Sequence, residues 1–212
     1  MTSSEQEGVI KYQLAFSHVE PHWTYTDIKH LNAWRTILDQ LGLVGQHPQR
    51  YDGYGFGNIS IRYAGGFLIS GTQTGLIRQM SVSDYSYVSH CVVEDNKVIA
   101  EGVVQPSSES MTHGVIYQNT PHINCVLHVH SPEIWHCSHD LGLEQTDAEI
   151  PYGTVLMAES VAELTQSYPE NKKPVFCMLG HEDGVVAYGR TLKEAGLALV
   201  DVLSKALSRV QS

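Results

Sequence analysis

Leu127-His128-Val129-His130-Ser131 closes an apolar run containing Ile123, Cys125 and Val126, about twenty residues after Pro106-Ser107-Ser108-Glu109. The run reads as a short β-strand leaving the core. Residues i and i+2 of a strand point to one face, so both imidazoles can reach a common point. Two convergent imidazoles suit a zinc-like divalent ion, bound tetrahedrally at about 2.0–2.1 Å. A lone strand histidine is usually a half-buried packing residue. A pair at this spacing, with a carboxylate upstream and another histidine well downstream, points to metal binding instead.

Around that strand, 212 residues with 42% hydrophobic and 17% charged side chains fit one globular domain with a proper core. No apolar run approaches the ~18–20 residues of a membrane span. Met1-Thr2-Ser3-Ser4-Glu5-Gln6-Glu7 lacks the basic-then-apolar layout of a signal peptide. Cys91, Cys125, Cys137 and Cys177 lie far apart without a C-x-x-C pattern, which fits reduced thiols. The cytoplasm is therefore the expected compartment. A formal charge of −10 argues against nucleic acid and anionic lipid as partners, but leaves open a small phosphorylated substrate bound by local donors. Of the twelve histidines, His18, His22, His30 and His47 show no ligand spacing and read as surface or packing residues.

Residues 1–25 read as a polar N-terminal arm, and 26–212 as a single domain. Thr26-Asp27 offers an N-cap for a helix over 27–43, where Ile28, Leu31, Trp34, Ile37, Leu38 and Leu41 recur at helical spacing. A glycine-rich loop (46–57) leads to strands over 59–63 and 66–70, and two more strands lie within 87–104. Ser107, Ser108 and Glu109 open a helix. Residues 132–150 carry only a weak pattern. A helix over 153–167, strands over 175–179 and 184–188, and a long helix over 191–210 complete the chain. No repeat appears, and no G-x-G-x-x-G joins a strand to a helix, so a dinucleotide site is poorly supported. The mixture implies an α/β protein with a central mixed or antiparallel sheet flanked by helices.

Three further segments bear on chemistry. Gly57-Asn58-Ile59-Ser60 enters a strand, Ser70-Gly71-Thr72 ends the next, and Ser107-Ser108-Glu109 opens a helix. Hydroxyls, glycine N–H groups and a helix N-terminus are the groups that hold an oxyanion such as phosphate. Any one such segment is most often a plain turn. Three of them ahead of a carboxylate and a His-x-His pair favour a site.

These segments resemble the class II aldolase/adducin family in order and approximate spacing from about residue 27 onward. The resemblance extends through Phe67-Leu68-Ile69-Ser70-Gly71-Thr72, Pro106-Ser107-Ser108-Glu109-Ser110-Met111-Thr112-His113, Ile150-Pro151-Tyr152-Gly153-Thr154 and Gly184-Val185-Val186-Ala187-Tyr188-Gly189. It implies a three-layer α/β/α class II aldolase-like fold with a mostly antiparallel sheet, assembled as a homo-oligomer, usually a tetramer. It implies a metal-dependent lyase catalysing aldol cleavage or condensation of a small phosphorylated, sugar-like carbonyl compound through a metal-stabilised enediolate. Dehydratase, decarboxylase and epimerase chemistry, or a non-catalytic adducin-like interaction module, are the alternatives. By resemblance Glu109 is the acid/base, and His128 and His130 are two of three ligands to a divalent ion, Zn2+ before Mn2+, Co2+ or Fe2+. Asn58, Ser70, Gly71, Thr72, Ser107 and Ser108 form the phosphate cradle. The third ligand is His181 if the Gly180-His181-Glu182-Asp183-Gly184 loop bulges, or Asp183 if the register is strict.

Overall fold

The computed structural model describes residues 8–166 and 174–210, and its strands sort their apolar side chains between two faces. In chain order the elements are β1 (Gln13–His18), α1 (Tyr25–Gln40), the short β2 (Gly45–Gln46) and β3 (Gly55–Phe56), β4 (Asn58–Tyr63), β5 (Gly66–Ser70), β6 (Tyr85–Val92) and β7 (Lys97–Gly102). They continue with α2 (Ser110–Asn119), β8 (Cys125–His130), α3 (Pro132–Cys137), β9 (Glu144–Gln145), α4 (Val155–Thr165), β10 (Val175–Cys177), β11 (Gly184–Gly189) and α5 (Leu192–Val210). Nine strands form one sheet in the order β1-β7-β6-β5-β4-β8-β11-β10-β9. Only the outer pairs, β1 with β7 and β9 with β10, run parallel. The expected α/β fold with a mixed, mostly antiparallel sheet is the one observed.

Alternation along the strands builds a core on each face. Ile59, Leu68, Leu127, Val129, Val185 and Ala187 pack with α1, α3 and α5. Phe67, Ile69, Val126, Val186 and Tyr188 pack on the other side with α2 and α4. His128 and His130 alternate with Leu127 and Val129, so they face the α2/α4 layer. The ladder fixes their neighbours: His128 lies opposite Asn58 of β4 and Val186 of β11, and His130 lies opposite Gly184. The four cysteines are free thiols, and three of them are buried.

Several boundaries differ from the sequence reading. The arm is not irregular throughout, because Gln13–His18 adds an edge strand to β7. The cause is a short alternation in which Ile10, Tyr12, Leu14 and Phe16 all turn toward the α2/α4 core. Thr24, two residues before the expected cap, opens α1; its N–H and hydroxyl both donate to the Asp27 carboxylate (2.7 and 2.8 Å). Within 132–150 the chain forms α3 and β9, too short to leave a periodic trace. α4 ends at Thr165, and Ser167 lies outside the described residues.

Candidate metal and catalytic centre

β8 carries His128 and His130 to the end of the sheet, where His128 is paired on both sides, and His130 pairs with Gly184 of β11 while its N–H donates to the Leu43 carbonyl at 2.9 Å. Both rings are 0% exposed, with centroids 5.0 Å apart. His181 arrives differently, on the turn that joins β10 to β11. The His181 N–H donates to the Met178 carbonyl (3.0 Å), and the Gly184 N–H donates back to the His181 carbonyl (2.9 Å). Two acidic residues fit into this turn because Asp183 adopts a left-handed conformation, φ 59°. Gly180 lets the turn press onto Ile150: an added Cβ would lie 1.8 Å from the Ile150 carbonyl oxygen. The His181 ring consequently sits 5.0 Å from that of His128 and 4.8 Å from that of His130. One ligand atom from each of the three lies within 4.8 Å of the others.

Asp183 does not join this cluster. Its carboxylate accepts the Tyr51 hydroxyl at 2.7 Å. Burial, reinforced by His181, holds the pKa of both His128 and His130 well below the ordinary histidine value. Both are therefore neutral near pH 7, the form that ligates metal. Neither ring nitrogen of His128 has a hydrogen-bond partner of normal geometry among the described residues. A buried donor left that way is costly unless something satisfies it. Three buried imidazoles converging at this distance fit a divalent ion of zinc type.

Glu109 immediately precedes α2 and is 1% exposed. Its Oε1 lies 3.9 Å from His181 Nδ1, while Oε2 accepts the Thr112 hydroxyl at 2.9 Å. Asn58, Gly71, Thr72, Ser107 and Ser108 line one adjoining pocket, together with Thr74 and Gly75. The Asn58 Oδ1 there is buried without a hydrogen-bond partner. Ser70 is not part of the lining; its Oγ accepts the Ile59 N–H at 3.1 Å. Gly57 has φ 71°, and a Cβ there would lie 2.6 Å from Val44 and 3.1 Å from the His128 carbonyl oxygen, so glycine lets the loop pass between Val44 and β8.

Two aromatic residues, Tyr152 and Tyr51, complete the surroundings. Tyr152 stacks on His181 (4.4 Å between centroids, 19° between planes), and Tyr51 meets His130 edge-on at 4.6 Å. Arg50 donates to the Tyr51 hydroxyl at 2.9 Å and lies over the Phe56 ring. Tyr152 sits in one of the segments that carry the family resemblance. Nothing in the sequence ties Tyr51 to Asp183, 132 positions away.

Residues 47–206 match the profile of the Class II Aldolase and Adducin N-terminal domain, and the chain belongs to that family. It is 33% identical over 122 residues to an L-fuculose phosphate aldolase of Methanococcus vannielii, covering 50% of this chain and 60% of that protein. The match thus spans about three fifths of that relative's length. Among solved structures, YgbL of Klebsiella pneumoniae, a candidate aldolase/epimerase/decarboxylase, superposes with a TM-score of 0.63 at 20% identity, covering 87% of this chain and 88% of that one. The L-fuculose-1-phosphate aldolase of Thermus thermophilus gives 0.61 at 21% identity, covering 89% and 95%. At such identities the structural likeness speaks for the fold alone.

Proposed function

We propose that this chain is a metal-dependent lyase that breaks or forms a carbon–carbon bond in a small phosphorylated, sugar-like carbonyl compound. The observation that carries this reading is a buried carboxylate, Glu109, 3.9 Å from one of three convergent buried imidazoles. His128, His130 and His181 would hold a divalent ion, Zn2+ first, which when bound supplies Lewis-acid polarisation of substrate oxygens. Glu109 moves the proton at the carbon next to the carbonyl, returning it after cleavage and removing it before condensation. The Thr112 hydroxyl on Oε2 orients that carboxylate and leaves Oε1 toward His181. Asn58, Thr72, Thr74, Ser107 and Ser108 offer hydroxyl, amide and backbone donors to the phosphate. These local donors matter because the net charge of −10 repels an anion at long range.

The family resemblance supports a homo-oligomer, a tetramer by preference, working in the cytoplasm. No helix among the described residues is long and apolar enough to cross a membrane. Elemental analysis of the purified protein beside the His128→Ala/His130→Ala variant is the direct test. About one zinc, manganese, cobalt or iron per chain, lost in the variant, is expected. Glu109→Gln should keep the metal and lower turnover of phosphorylated ketoses by about 10²–10⁴-fold. A protein that takes up no metal on reconstitution would instead be read as an adducin-like binding module.

A further inference from the structure

His128 and His130 are placed by a strand paired on both sides, but His181 sits on a turn, and a turn alone does not set a ring plane. Tyr152 supplies that setting: it is 1% exposed and stacks on the His181 ring. Tyr152 in turn belongs to an irregular stretch between β9 and α4 and needs a support of its own. That support is Lys11. Its Nζ lies 3.7 Å from the Tyr152 ring centroid and donates to the Tyr152 carbonyl at 3.1 Å. The Tyr152 ring is thus held by two groups at once, an imidazole centred at 4.4 Å and an ammonium at 3.7 Å. The Lys11 stem runs along Gly153, where an added Cβ would come within 3.1 Å of it.

The segment bearing Lys11 is held firmly. The Asn96 amide donates to the Lys11 carbonyl (3.2 Å), and the Gln13 N–H donates to the Asn96 carbonyl (2.7 Å) as β1 begins. The neighbouring Tyr12 is buried, and its hydroxyl donates to the Ser107 carbonyl at 2.8 Å, two residues from Glu109. Lys11, Tyr12 and Gln13 themselves lie ahead of residues 47–206, the part that matches the family profile.

We propose that the N-terminal strap around Lys11 and Tyr12 completes the site, with Lys11 acting as a positioning residue that fixes the His181 ring through Tyr152. This rests on reading the imidazole cluster as a cation site. The physical case is that a cation over the tyrosine ring, the same ammonium bonded to its carbonyl, and a stacked imidazole together leave the tyrosine little freedom. Groups that orient a ligating histidine typically change metal affinity about 10–100-fold when removed.

Titration of the full-length, metal-stripped protein with Co2+ in roughly 0.5 M NaCl tests the proposal, because visible absorption reports both affinity and ligand geometry. At that salt the screening length is roughly 4 Å. Lys11→Met, which keeps the stem and removes the ammonium, should weaken Co2+ binding about 10-fold and alter the spectrum. Lys11→Arg should restore both, since a guanidinium also stacks on tyrosine. Tyr12→Phe should move the affinity in the same direction by a smaller factor, through the loosened strap. Loss of a positive charge by itself would tighten cation binding, so the two effects differ in sign. Unchanged or tighter binding with an unaltered spectrum in Lys11→Met would overturn the proposal while leaving the cation site in place. Failure of the unaltered protein to bind Co2+ would overturn both.

Discussion

Asp183 and His181 stand two residues apart in one turn, and their surroundings divide their roles. The Asp183 carboxylate is committed to the Tyr51 hydroxyl, a contact that, after burial, keeps the tyrosine pKa above its ordinary value. Tyr51 therefore stays a hydrogen-bond donor throughout the neutral range and ties the 50–56 loop to the His181 turn. His181 instead points into the imidazole cluster. Asp183→Asn keeps an acceptor and tolerates φ 59°, so it is expected to cost roughly 1 kcal/mol of stability and to leave Zn2+ affinity within about 3-fold. His181→Ala is expected to weaken Zn2+ binding by about 100-fold or more, because it removes a donor outright. Calorimetric titration of both variants compares them directly, and the reverse ranking would make Asp183 the ligand. The sequence posed this choice without resolving it, since the answer depends on how the turn closes and on a tyrosine 132 positions away.

Elements show where pattern suffices and where it does not. β8 and β5 were legible as short apolar runs, and the long α5 because it repeats its helical period over several turns. β1, α3 and β9 were not, being short elements whose residues are recruited by neighbours already in place. The start of α2 was visible as Ser107-Ser108-Glu109, but its contact with β4 was not. There His113 sits fully buried with Nδ1 2.7 Å from Ser60 Oγ, and the same oxygen meets Tyr117. Burial lowers the His113 pKa from 6.5 to about 3. The unfolded chain binds a proton there below pH ~6.5 while the folded chain does not, so this group's stability is complete above that pH and is lost as pH falls toward 3. Between neutrality and pH ~5 the loss from His113 is about 2 kcal/mol. His113→Asn, compared with the unaltered protein in urea melts at pH ~7 and ~5, should show an acid sensitivity smaller by about that amount; equal slopes would remove His113 as the cause. The turn at Gly180 is a second dependence of this kind. Gly180→Ala must push the His181 turn away from Ile150, and overpacking of this kind typically costs about 1–3 kcal/mol. A lowered unfolding temperature together with weakened Zn2+ binding is the expected result, and a variant unaffected in both would mean the turn can relax without moving His181.

Across the whole molecule, the candidate site is where separate parts of the chain meet. β8 contributes two imidazoles, the β10–β11 turn a third, the approach to α2 a carboxylate, and the loops beside β4 and β5 most of the polar pocket. Ser107 and Ser108 of the pocket adjoin Glu109, but the other contributors come from separate stretches of the chain, gathered where β4, β8 and β11 are adjacent in the sheet. A ligand gripping several of them binds the folded chain and has no comparable site in the unfolded one. Mass action then sets the consequence: free cation at about 100 times its dissociation constant adds about 2.7 kcal/mol of stability. For a chain of this length each kcal/mol shifts the unfolding temperature by roughly 2–4 °C, so Zn2+ should raise it by about 5–10 °C. A chelator should reverse the rise, and His128→Ala/His130→Ala should show none. A metal-induced rise of equal size in the double variant would place the cation elsewhere on the surface and detach the imidazole cluster from the stability of the fold.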